Sequence, residues 1–244
     1  MPYRRLPNTD QARMRAMEAC LKKGETTPLN ILAFSQQCLE HLQLFYPKFS
    51  NAIAQLQASK ENQFKCSRDY GEIVKKAKLY ISHFMQVLNF GIMREEIKPE
   101  VREFYGLDVD SKAIPPLNLE SHVLKWGERI IAGEQKRTMH GGSPIYNPSI
   151  ALVKVHFEEF KDAYRHQKML QNITNRASSK VSDLRGDADS LIQQIWNEVE
   201  ETFSVYPEDM KREKASEYGV VYVLRSSEIK QMEANKLQRN IIFS

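Results

Sequence analysis

Imidazole can move protons near neutral pH and hold metals, so the six histidines, His41, His83, His122, His140, His156 and His166, have the widest chemical reach in this chain. Helical bundles that hold two irons use Glu-x-x-His, because a three-residue step puts both ligands on one helix face. The residues three before these histidines are Cys38, Tyr80, Leu119, Arg137, Val153 and Ala163, so none has that partner. His156 with Glu158 or Glu159, and His166 with Asp162, lie at helical neighbour spacing, where a surface ion pair is the simpler reading than a metal site. His140-Gly141-Gly142 has the form of a loop whose amides could face an oxyanion. Without Gly-x-Ser-x-Gly nearby it reads as an interhelix connection. The chain also contains no His-Glu-x-x-His, no phosphate-cradling glycine loop and no Cys-x-x-Cys. Cys20, Cys38 and Cys66 are an odd set with no metal-ligand spacing, which predicts reduced and mostly buried thiols. No catalytic residue, cofactor site or metal ligand is therefore assigned.

Two patterns suit binding instead. Residues 1–80 carry 13 Lys and Arg against 7 Asp and Glu, although the whole chain is only +4. Arg4, Arg5, Arg13, Arg15, Lys22 and Lys23 fall on a short arm and one helix, able to meet phosphates or an acidic partner. Val220-Val221-Tyr222-Val223-Leu224 is the one run of five β-favouring residues, and a strand with no neighbour has unpaired backbone groups. It must pair with an extended piece such as Met1 to Leu6 or Ser143 to Tyr146, join another chain's edge, or lie as a strap over the helices. Trp126 and Trp196 could line a pocket between helices, though aromatics at helical spacing are more often core.

The elements carrying these residues are mostly helical. The chain has 244 residues, 41% of them hydrophobic, with only ten glycines and ten prolines, enough to bury a core without staples. No apolar run reaches the roughly 18 to 20 residues of a membrane span, and the start has no apolar leader core, so a cytoplasmic location is expected. A first helix is predicted from Thr9 or Asp10 to Gly24, burying Met14, Met17 and Leu21. Ile31, Phe34, Cys38, Leu42, Phe45, Phe49, Ala52 and Leu56 predict a second, kinked or restarted at Pro47. A third runs through Ile73, Ala77, Ile81, Phe84, Leu88 and Ile92. Asn118 is expected to cap a helix bearing Val123, Trp126 and Ile130 that ends near Gly133. Asn147-Pro148 opens another through Val153, Phe157, Phe160 and Leu170, and a further one, through Leu191, Ile195 and Val199, follows Gly186. A short charged helix from Pro207 to Gly219 and a polar helical segment over 227–239 complete the reading.

Phe49 and Phe160, Ala77 and Ala188, and Ile81 and Ile192 are each 111 positions apart, and Tyr105-Gly106 and Tyr218-Gly219 are 113 apart. The predicted architecture is a mainly α single domain, residues 1–244. It is an antiparallel bundle of two pseudo-repeated long helical hairpins, about 31–106 and 147–219, with a linker at 107–117 and a short C-terminal strand and tail at 220–244.

Several stretches, the Tyr3 to Asp10 start, Lys98 to Gly106, Trp126 to Ile131, Gly141 to Pro144 and Arg212 to Val223, together resemble a family of helical proteins common in Bacteroidota to which no activity is attached. The resemblance implies a bacterial cytoplasmic protein and adds no substrate or catalytic residue. The sequence thus points to a non-enzymatic scaffold or interaction protein, joining itself or another protein through Val220 to Leu224 and no membrane. The alternatives are a nucleic-acid-binding protein using the basic front, and a bundle that binds a ligand or metal.

Overall fold

The computed structural model describes residues 3–225, and the polar helix expected over 227–239 lies outside them. The protein is mainly α. Helix α1 spans Asp10–Thr26, α2 Gln36–Met93, α3 Glu120–Met139, α4 Ile150–Thr202 and α5 Glu208–Ser216, with 3-10 turns at Pro99–Tyr105 and Phe203–Val205. Strands β1, Tyr3–Arg4, and β2, Tyr222–Val223, form a two-stranded antiparallel ladder that pairs Tyr3 with Val223 and Arg4 with Tyr222.

Capping chemistry places several ends. The Thr9 side chain accepts from the Ala12 amide at 3.2 Å, so α1 starts where a threonine N-cap predicts. Gly106 and Gly219 take the left-handed conformation, at φ +67 and +80, after Tyr105 and Tyr218, both buried.

Other predicted ends do not occur. Helix α2 is continuous through Pro47 and through residues 57–72, where two helices were expected, and α4 is continuous through Gly186. A proline removes one hydrogen bond, and the residues around it can supply more than that single loss. Eight of the sixteen residues Gln57 to Glu72 are Gln, Lys, Glu, Arg or Ala, good helix formers that help sustain a helix without an apolar stripe. α1 passes two residues beyond Gly24, and α3 runs six residues past Gly133. A Cβ at Gly133 would lie 2.6 Å from the Phe104 carbonyl oxygen, so this glycine permits close packing and does not stop the helix.

The chain divides into two compact units, one of residues 1–58 with 175–244 and one of residues 59–174. In the first, the α2 stripe Cys38, Leu42, Phe45 and Phe49 packs with Leu191, Ile192, Ile195, Trp196 and Val199 of α4 and Met17 and Cys20 of α1. In the second, Ala77, Ile81, Phe84 and Leu88 pack with Val123 and Ile130 of α3 and Val153, Phe157 and Phe160 of α4. Both long helices contribute a stripe to each core. Among the described residues, no helix is long and apolar enough to cross a membrane.

Candidate functional site

The β-favouring run near the C-terminus has its partner in its own chain. Val220 is buried, Tyr222 and Val223 pair with Arg4 and Tyr3, and the Arg5 amide donates to the Val221 carbonyl at 2.8 Å. One α4 carboxylate ties down both strands: Glu200 accepts from Arg4 at 2.9 Å and from the Tyr222 hydroxyl at 2.6 Å. Burial and that carboxylate raise the Tyr222 phenol well above the ordinary tyrosine range. Val221 and Leu224 are exposed. The unpaired backbone that made Val220 to Leu224 a joining element is therefore engaged, on one side of the ladder, by residues 3–5.

The basic front separates into two groups. Arg13 is buried and bidentate to Asp189, at 2.7 and 2.8 Å, and also reaches Asp10 at 3.2 Å. Asp10 in turn receives two bonds from Arg185, which hold its carboxyl below the usual range. Arg13 belongs to the buried face of α1 with Ala16, Met17 and Cys20, one position round from the predicted stripe. Arg4 is tied to Glu200 and Lys23 to Glu217. Among the described residues, Arg5 and Arg15 have no acidic partner and are exposed; Lys22 also has none.

Arg5 and Arg15 line one cavity. It has a volume of about 460 Å³, is partly open, and is lined by residues 5–9, the first turns of α1, the end of α5, residues 219–221 and Trp196 of α4. That volume is within the roughly 300–1,000 Å³ usual for small-molecule sites. Leu6, Pro7, Ala16, Val220 and Val221 give it an apolar wall, and among the described residues no aspartate or glutamate lines it. Trp196 is fully buried, and its indole Nε1–H, a donor, has no hydrogen-bond partner. Leaving a buried donor unmatched costs about 1–3 kcal/mol, so native structures usually match it. Gly219 closes one side: its α carbon lies so near α1 that an added Cβ would meet Ala19 at 3.0 Å and Ala16 at 3.2 Å.

Of the remaining sequence candidates, His156, His140 and Trp126 have structural partners, whereas Asp162 pairs with Arg165 rather than His166, and His122 Nδ1 is buried without a partner among the described residues. His156 Nδ1 is 3.4 Å from Glu159, and its ring stacks on Tyr80 at 4.2 Å. His140 Nδ1 is 2.8 Å from the Lys136 carbonyl at the end of α3. Trp126 is half-buried beneath Arg129 and Lys125. No described group of three or more His, Cys, Asp and Glu is placed to hold a metal.

The most strongly charged buried cluster escaped the sequence reading. Glu134 and Arg137 are 1% and 4% exposed and joined by two bonds of 2.7 Å. The Tyr105 hydroxyl also donates to Glu134, the Ile145 amide reaches it at 3.2 Å, and Arg137 donates to the Ser143 carbonyl at 2.6 Å. Burial alone would raise the Glu134 carboxyl, but these bonds outweigh it and hold it below the usual range. The signal was present: Val123, Gly127, Ile130, Glu134 and Arg137 continue one stripe at steps of three and four. Every polar group in this cluster is matched, so it staples the 3-10 turn and the loop after α3 to that helix.

The fold and cavity define a mainly α protein with a small apolar pocket, carrying two arginines, lined in part by residues that adjoin its terminal ladder. No protein-family model matches the chain, and neither a curated protein nor a solved structure matches it.

Proposed function

We propose that this protein is a ligand-binding helical protein whose site is the cavity beneath residues 5–9 and 219–221. The observation that carries the reading is the cavity itself, about 460 Å³ with an apolar wall and with Arg5 and Arg15 among its lining residues. Arg5 and Val221, which line the cavity, are joined by a backbone bond, and the adjoining ladder is anchored through Glu200, so this wall is ordered before a ligand arrives.

Trp126→Phe leaves Trp196 as the sole tryptophan. Its emission is titrated, below micelle concentrations, with decanoate, decanol and decyltrimethylammonium. A saturable change with at least one of them is expected, lost in an Ala12→Phe chain of unchanged circular dichroism, because that ring would fill the cavity. No saturable change with any of the three refutes the reading.

The duplication belongs with these proposals. Its support is that Gly219 lies against Ala16 and Gly106 against Arg129, where Gly106 and Gly219 are 113 positions apart and so are Ala16 and Arg129.

A further inference from the structure

We infer that the cavity's ligand is an anionic amphiphile, an apolar body carrying one carboxylate-class head group held by Arg5 and Arg15; this rests on the ligand-binding reading above.

The argument comes from which charges are matched. Four arginines occupy the ladder arm and α1. The two that do not line the cavity are paired with carboxylates: Arg4 with Glu200, and Arg13 with Asp189 and Asp10. The two that do line it, Arg5 and Arg15, have no acidic partner among the described residues. Among the described residues, no carboxylate lines the cavity to offset them. The first turn of α1 also opens here, through Asn8, Thr9 and Ala12, and a helix N-terminus adds partial positive charge. The charged side chains among the described lining residues are thus both cationic, the guanidiniums of Arg5 and Arg15. A neutral apolar ligand leaves both unanswered. A cationic one meets like charge. An anion with an apolar body answers the rim with its head and covers Leu6, Val220 and Val221 with its chain.

The same emission titration distinguishes the two levels of the proposal. Decanoate is expected to bind the Trp126→Phe chain at least about tenfold more tightly than decanol, as one or two charge-assisted bonds imply. In the Arg5→Ala/Arg15→Ala double variant, decanoate affinity is expected to fall to the decanol value while decanol affinity is unchanged. Both side chains are exposed, so truncation leaves the core intact. Equal affinities for decanoate and decanol overturn the anionic assignment and leave the cavity reading standing. Displacement of decanoate by a single-stranded oligonucleotide, with steep salt dependence, assigns the two arginines to nucleic acid and overturns it too. Flotation with phosphatidylglycerol vesicles, without binding of free decanoate, would place the anion in a membrane and likewise overturn a soluble ligand.

Discussion

Replacing Glu134 by alanine tests what the buried cluster of residues 59–174 contributes. The variant removes both 2.7 Å bonds to Arg137, the bond from Tyr105 and that from the Ile145 amide. Arg137, 4% exposed, then keeps its charge with only the Ser143 carbonyl and the Tyr105 hydroxyl as partners. Breaking a buried pair from one side costs about 3–5 kcal/mol, because the surviving charge is desolvated and uncompensated. At a urea slope of about 2 kcal/mol per molar, the midpoint is expected to fall by about 2 M. Trp126 packs on the same core, so its emission in a Trp196→Phe chain reports this unit. Glu134→Leu/Arg137→Met removes both charges and should recover most of the loss. The cluster also has a pH signature. The folded carboxyl is held low, so its stabilisation is fully present above the ordinary glutamate value of about 4.3 and is lost as pH falls through the lower folded value. The gap between the parent and Glu134→Ala should therefore narrow on acidification below about pH 4. A loss under about 1 kcal/mol, or a double variant as unstable as the single one, refutes the reasoning.

Two further outcomes are expected. Gly71→Ala and Gly186→Ala each place a methyl group where nothing lies within 4 Å, inside the continuous helices α2 and α4. Each should raise stability by about 0.8–1 kcal/mol in urea titration, and a loss at either site would contradict an unbroken helix there. Cys20 is 2% exposed and burial pushes its thiol up to about 12, with Cys38 also raised, whereas Cys66 is half-exposed. Maleimide at neutral pH should label Cys66 first by mass spectrometry, all three only after unfolding; early labelling of Cys20 would refute its burial.

The apolar stripes were legible because a 3.6-residue period survives any arrangement of the helices. Leu42, Phe49, Ile81, Phe84, Val153 and Ile195 were all placed from spacing alone, and all are buried. Breaks were misread where glycine or proline has two physical uses. Gly133 stands where a backbone oxygen approaches α3, and Gly24 where Leu39 does, so neither marks an end. The cavity was partly visible: Arg5, Arg15, Trp196, Val220 and Val221 were each singled out, for separate reasons. Their convergence was not visible, because it depends on residues more than two hundred positions apart pairing across β1 and β2. Nor could sequence show that Arg13, next but one to Arg15, turns inward to Asp189.

The division of the chain also sets an order of synthesis. Residues 1–58 and 175–244 make one unit, so positions 58 and 175, 117 apart, must both be made before its core can close. At about 5–20 residues per second, the wait is on the order of 6–23 seconds on the ribosome. Through that interval Leu42, Phe45 and Phe49 have been made, but their α4 partners have not. The continuous segment 59–174 has all its parts first, so the end of the chain that emerges earliest is completed last.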